Sequence, residues 1–552
     1  MEMLTIYLSA VDAAQFKVIA RANVGQAEAD SRLPFFETAE RWRTTLIKAL
    51  EVNEFRSSVF QREGEQEWMV EQGLLSSDKE SFHPAMLARI GQAMYESLFP
   101  VGGVRDVLQR AIARAEDKST QLHIQLEFNA EITKRSRLPD YPWELAHDGQ
   151  KFLAHHQVRF SRHIDHVATI PNLPPVQQLN VLLVSSAASD AENKLLPLSK
   201  KEQKAVFKGL EKAQAEGHIH TEVLEPASLN QLRSYLTEHQ GNQAPHVFHF
   251  DGHGFFGRRC NVSNCRTIHG NLSTEKCKNC GVALPEPQGY LLFETQEDEP
   301  DYVSAKELGQ LLQKTSFGDD STQRRGSVTV AVLSACKSGT ALGGESVFNG
   351  VAQQLISHRI PAVVAMQYTI RVDAATQFSE QFYRSLGRKN SLATAISQAQ
   401  EAMGGAEGNQ WYRPVLYLHW EDNEGGQLFG TTQSSETETS SLNFPNCLDG
   451  AFQPNLVPSL INKLTAPQRK QLRVALMSAF PEVDNLALLF EDNLGVPLNQ
   501  IVNVKNFYEK VVADAIKWAE SAGKIAQLID MALQNKPDNP ELQEFVMTLS
   551  ES

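Results

Sequence analysis

Val247-Phe248-His249-Phe250-Asp251-Gly252-His253-Gly254 carries an apolar run into a turn that holds a histidine between two glycines. A second stretch repeats the arrangement with a thiol: Val328 to Leu333 is apolar, and Ser334-Ala335-Cys336-Lys337-Ser338-Gly339 follows it. From Leu179 onward such apolar runs alternate with helical segments, beginning at Val181-Leu182-Leu183-Val184 and returning at Val363 to Met366 and Val415 to Leu418. Ser199 to Glu202 and Ser228 to Gln231 have capping-box spacing and open two of the intervening helices. Apolar strands alternating with helices predict an α/β fold, a mainly parallel sheet flanked by helices on both faces. In such sheets the working residues lie just beyond the carboxyl ends of strands, and both His253 and Cys336 fall there.

Toward the N-terminus, Leu4, Ile6 and Leu8 share one face of a strand, and Phe16, Val18 and Ala20 suit its hairpin partner. Alternation returns around Leu122 to Glu131, and Leu138-Pro139-Asp140-Tyr141-Pro142-Trp143-Glu144 marks an irregular turn. Toward the C-terminus, Thr431 to Ser441 offers almost nothing to bury and reads as a linker. Beyond it Leu472, Leu476 and Phe480 form a helical stripe, and Asn539 with Pro540 opens a late helix. The expected organisation is an N-terminal part over 1–175, an α/β domain over 176–428, a linker over 429–453 and an all-α bundle over 454–552.

Bulk composition limits the function. The chain has 552 residues, 41% hydrophobic and 21% charged, ample material for more than one core. No apolar run approaches the roughly 20 residues that span a bilayer, and the first ten residues lack the pattern of an export signal. A soluble cytoplasmic protein without a membrane partner is expected. A formal net charge of −14 argues against nucleic-acid binding, which needs a basic face to replace phosphate counterions.

A thiol attacks as thiolate, and a nearby histidine can promote that form and later protonate a leaving amine. Glycines after each strand let backbone N–H groups approach a carbonyl oxygen. Gly254 and the amide of Cys336 itself are the candidate oxyanion hole. The two stretches resemble the paired signatures of CHAT-domain proteases, relatives of caspases. Tyr141-Pro142-Trp143-Glu144-Leu145 is similar to that family's Pro-Trp-Glu element, Val363 to Gln367 to its next core strand, and Trp411 to Val415 to its closing strand. The resemblance covers roughly residues 1 to 425. It implies a caspase-like fold and peptide-bond hydrolysis through an acyl-enzyme, with His253 and Cys336 as a dyad. In metacaspases and separases an acidic residue two before the cysteine helps recognise a basic substrate side chain. That position is Ser334 here, which leaves Asp373 or Glu345 to supply negative charge to a substrate pocket.

Cys260, Cys265, Cys277 and Cys280 form two close pairs separated by a short loop, the arrangement by which four thiolates reach one tetrahedral zinc ion. The flanking segment, 258–282, has too few apolar residues for a core of its own, so a structural Zn2+ is the expected core of an inserted ribbon. His269 reads as a loop residue, and Cys447 receives no role. The segment from about Pro454 to Ser552 resembles an effector-associated domain, a small death-domain-like adaptor. That resemblance implies a partner protein with a like helical domain and a role in bacterial defence or regulated cell death. The expected function is a cysteine endopeptidase acting on protein substrates. A non-enzymatic scaffold, or a thiol acyl transferase such as a peptide ligase, is the alternative.

Overall fold

The computed structural model describes residues 1–429 apart from 36–39, 130–137, 166–175, 196–199, 240–242, 296–298, 315–327, 335–346, 405–409, 421–423 and scattered single positions, together with parts of 466–545. Cys336 and Glu345 lie outside the described residues, as do Cys447, the linker and Ser199. The chain divides into two compact units, Met1–Ser434 and Ser435–Ser552.

The first unit is built on one sheet of 11 strands among the described residues, ordered β3-β2-β1-β4-β5-β15-β14-β13-β8-β6-β7. Its strands are β1 (Glu2–Ala10), β2 (Gln15–Ala22), β3 (Gly25–Arg32), β4 (Leu122–Asn129), β5 (Val158–Asp165), β6 (Leu179–Ser185), β7 (Ile219–Val223), β8 (Val247–Asp251), β13 (Val330–Ser334), β14 (Ala362–Met366) and β15 (Pro414–Leu418). Only β1–β2, β2–β3 and β14–β15 pair antiparallel within it. The expected mainly parallel sheet is therefore present. Both parts of the sequence-based division share it, because β15 pairs with β5 at Tyr417↔Arg162.

Burial follows the sequence pattern. Every residue of β8, β13, β14 and β15 is buried, as near-continuous apolar strands covered on two faces require. In β1 and β2 burial instead alternates with period two. β3, Gly-Gln-Ala-Glu-Ala-Asp-Ser-Arg, escapes an apolar-pattern reading because it is mostly polar. It ends the sheet, where charge discourages pairing with another chain.

The helices of this unit are α1 (Glu40–Glu51), α2 (Glu65–Glu71), α3 (Met86–Leu98), α4 (Gly103–Asp117), α5 (Lys200–Ala215), α6 (Leu229–Glu238), α7 (Ala305–Lys314), α8 (Val347–Ser357), α9 (Val372–Gly387) and α10 (Leu392–Gly404). Leu232 of α6, Leu308 of α7 and Leu355 of α8 share one core with Phe248, Phe250, Ala331 and Leu333. Val206 of α5 and Phe378 and Phe382 of α9 share the opposite core with Val247, Val330 and Val332. Ser228 caps α6 as expected, its Oγ accepting from Gln231 N at 3.1 Å. α7 carries a reciprocal box that the pattern reading missed. Glu307 N donates to Ser304 Oγ at 3.2 Å, and Ser304 N donates to Glu307 Oε2 at 3.0 Å.

A smaller antiparallel sheet, β10-β9-β11-β12, stands beside the large one. It comprises β9 (Gly254–Arg259), β10 (Ile268–His269), β11 (Gln288–Glu294) and β12 (Pro300–Ser304).

The second unit contains α11 (Ala466–Ala479), α12 (Tyr508–Ser521) and α13 (Ile525–Asn535). Leu472, Leu476 and Phe480 enter its core with Phe490, Ile516 and Ile529. Asn539 Oδ1 accepts from Leu542 N at 3.0 Å, the helix start expected at that asparagine.

Candidate active site and metal centre

The two signature stretches end adjacent strands. β13 pairs parallel with β8, with Val332↔His249 and Ser334↔Asp251 in register. Gly252 N then donates to Ser334 O at 3.3 Å, extending the ladder by one bond. A Cβ at Gly252 would lie 2.8 Å from the Phe250 ring and 3.3 Å from Ser186 Cβ, so only glycine fits this turn. His253 follows, with 1% of its surface exposed, and its carbonyl accepts from Leu292 N at 2.9 Å. Gly254 opens β9 and pairs with Leu291 of β11. The histidine is thus clamped between the large sheet and the small one.

Ser334 is fully buried, and its Oγ has no hydrogen-bond partner among the described residues. Asp373 lies in the first turn of α9, about half exposed, and is held by Arg371 Nη2 at 2.8 Å and Nε at 3.1 Å. Its carboxylate also accepts from Ala374 N at 3.0 Å. One row deeper, His249 Nδ1 lies 2.6 Å from Tyr383 Oη of α9. Burial pushes this imidazole down to about 3, so it is neutral.

Pattern reading missed the polar knot that joins the two parts of the sheet. Arg162 of β5 is fully buried. Its Nε donates to Glu144 Oε1 at 2.8 Å, and its Nη2 donates to Tyr141 O at 3.0 Å and Gln367 Oε1 at 3.1 Å. Nη1 reaches Pro139 O, and Nη2 also reaches Glu144 Oε2. Burial opposes the guanidinium's charge, but Glu144 and Tyr417 outweigh it and hold the pKa above the ordinary arginine value. Gln367 Nε2 donates to Asp140 O at 2.7 Å. The Pro-Trp-Glu element is thereby fixed to the residue that follows β14. A glutamate beside an aromatic turn, with two arginines, Arg159 and Arg162, in the next strand, was the available signal.

The four cysteines stand on two facing turns. Cys260 N donates to Thr267 O at 2.9 Å, and Cys277 N donates to Val282 O at 2.8 Å. Each turn bends in the left-handed region just after its second cysteine, at Arg266 (φ 44°) and Gly281 (φ 73°). All four Sγ atoms lie within 4.8 Å of one another, with Cys260–Cys280 at 3.4 Å and Cys265–Cys277 at 3.6 Å. A tetrahedral ion with bonds of about 2.3 Å to sulfur requires edges near 3.8 Å, so the group fits a metal ion. Thr267 Oγ1, 3.1 Å from Cys265 Sγ, draws that thiol below its ordinary value, while the neighbouring thiols push Cys260 up. β9 connects Cys260 directly to His253, and Arg259 anchors it to Asp301 of β12 at 3.0 Å. His269 sits in β10, paired with Arg258, rather than with the thiols.

Among the described residues no helix is long and apolar enough to cross a membrane.

The chain is similar to the separase of the Saccharomyces cerevisiae separase–securin complex at 11% identity and a TM-score of 0.31, covering 75% of this chain and 30% of that one. It thus spans less than a third of the separase. It is also similar to the Arg specific cysteine proteinase gingipain R at 10% identity and a TM-score of 0.31, covering 59% of this chain and 69% of that one. No curated protein matches the chain. The model of effector-associated domain 1 matches residues 462–550. The model described as CHAT domain matches residues 108–437. That match extends over more than half of the sequence, and the chain belongs to the CHAT-domain family.

Proposed function

We propose that this chain is a cysteine endopeptidase in which Cys336 is the nucleophile and His253 the general base. The observation that carries the reading is the pairing of β8 with β13 in register at Asp251↔Ser334. His253 lies two positions beyond that pair, where adjacent strands stand about 4.8 Å apart, and Cys336 follows Ser334 by two positions in the sequence. His253 takes the thiol proton, and the thiolate attacks the peptide carbonyl. The N–H groups of Gly254 and Cys336 receive the developing oxyanion. His253 then protonates the leaving amine, and a water molecule that it deprotonates hydrolyses the thioester.

Cys260, Cys265, Cys277 and Cys280 hold one Zn2+, which stiffens the strand leading out of His253 and takes no part in the reaction. A closed set of four thiolates leaves no open coordination position. Thiols kept reduced for metal suit the cytoplasm. The C-terminal unit binds a like helical domain on a partner and raises the local concentration of protease at its target, in bacterial defence or regulated cell death.

The burial of His253 supports a second reading, a scaffold that holds partners without catalysis. One experiment separates the two. New protein N-termini are mapped in a bacterial lysate after adding wild type, Cys336→Ala or His253→Ala, each with and without partners carrying matching helical domains. Cuts made by wild type alone support the peptidase. Their absence under every condition rejects it and leaves the scaffold.

A further inference from the structure

The large sheet ends at β3 on one side and at β7, Ile219-His220-Thr221-Glu222-Val223, on the other. β3 carries the carboxylates Glu28 and Asp30, and charge of this kind guards an edge against pairing. β7 contains no proline, glycine or lysine, and among the described residues it pairs only with β6, in parallel. Leu224 N donates to Leu183 O of β6 at 2.8 Å. Backbone direction alternates along a strand, so the N–H and C=O groups of Glu222 and His220 also face β6, and those of Ile219, Thr221 and Val223 face outward.

Apolar surface accompanies this edge. Val223 is 40% exposed and Phe207 of α5 is 37% exposed, two of the six exposed large apolar side chains among the described residues. Ile219 and Ala213 of α5 both lie within 4 Å of where a Cβ on Gly387 would stand. α5 leads into β7 and runs back over it, packed against it. Six helical residues back from Ala213, about 9 Å, set Phe207 alongside the stretch from Thr221 to Val223.

The strand is also its own complement. Turned about a two-fold axis through Thr221 and normal to the sheet, Ile219 opposes Val223, His220 opposes Glu222 and Thr221 opposes itself. The outward-facing residues then form the hydrogen-bonded pairs. His220 and Glu222 fall in the non-hydrogen-bonded pairs, where opposed side chains approach most closely. Their side chains are 50% and 41% exposed, so a second copy can reach them.

We propose that this chain forms a symmetric homodimer through β7, whose antiparallel pairing with β7 of a second copy continues the large sheet from one copy into the other. The complementarity selects a second copy as the occupant: each apolar residue meets an apolar residue, and each imidazole meets a carboxylate. β6 stands between β7 and β8, so the interface is one strand removed from the strand that leads to His253.

Sedimentation equilibrium of the full-length chain at micromolar concentrations tests this. Wild type is expected at twice the chain mass of 61.5 kDa. His220→Glu sets carboxylate against carboxylate across the seam, and Glu222→Lys leaves His220 facing an ammonium. Each variant alone is expected to weaken the dimer at least tenfold. Mixed in equal amounts, the two should associate again, because the introduced carboxylate then faces the introduced ammonium and Glu222 of one copy faces His220 of the other. Circular dichroism and the unfolding midpoint establish that each variant is folded. Amide exchange at Thr221 and Val223 should slow in wild type as its concentration rises. A wild type that stays monomeric, a dimer that neither variant weakens, or a mixture that associates no better than its parts overturns the proposal. A dimer untouched by both variants would place the contact elsewhere, as in the C-terminal unit.

Discussion

Glu144→Ala tests whether the buried ion pair locks the two parts of the sheet together. The guanidinium of Arg162 is fully buried and has its donors aimed at Glu144, Pro139 O, Tyr141 O and Gln367. Deleting the carboxylate leaves the charge facing only neutral acceptors. Breaking one side of such a buried pair costs about 3–5 kcal/mol, a large part of the roughly 5–15 kcal/mol that holds a typical domain folded. Replacing both partners with apolar residues, Glu144→Met with Arg162→Met, removes the stranded charge and should recover most of the loss. Urea unfolding followed by tryptophan fluorescence reports this directly, because Trp143 is fully buried beside the pair. The expected coupling across the double-mutant cycle is at least about 2 kcal/mol. Additive single effects, or a loss below about 1 kcal/mol for Glu144→Ala, would refute the claim that the pair is a structural lock. The same variant should lower any Cys336-dependent cleavage, since Gln367 ties the knot to the end of β14.

Three further outcomes are expected. Native mass spectrometry should find one zinc per chain, absent in Cys260→Ser and Cys277→Ser; a chain that holds none when purified and supplied with zinc would contradict the four-thiolate site. Burial holds His249 down at about 3 and His246 at about 4. Their stabilising effect is therefore complete above the unfolded histidine pKa near 6.5 and lost as pH falls toward those values. Between pH 4.5 and 6, stability should fall by up to about 1.4 kcal/mol per pH unit for each histidine, and an unchanged slope in His249→Gln would show that His249 is not the source. Gly252→Ala places a methyl 2.8 Å from the Phe250 ring and should cost about 1–3 kcal/mol, measured by thermal unfolding, with reduced cleavage because the turn to His253 must shift.

Much of this protein was legible before its structure. Continuous apolar runs at Val247, Val330, Val363 and Val415 can be buried only as strands covered on two faces, so composition and period fixed the α/β class. Cysteine spacing fixed the thiolate cluster, because two short turns bring four Sγ atoms together whatever surrounds them. The polar strand β3 was hidden, since its pairing with β2 depends on backbone bonds rather than on side-chain pattern. The position of Asp251 beside Ser334 was hidden for a different reason. Strand register is decided by packing between segments some eighty residues apart, and only that register turns two unrelated sequence positions into one row. The Arg162–Glu144 pair belongs to the same class: the sequence offers many charges, and tertiary burial alone decides which of them must find each other.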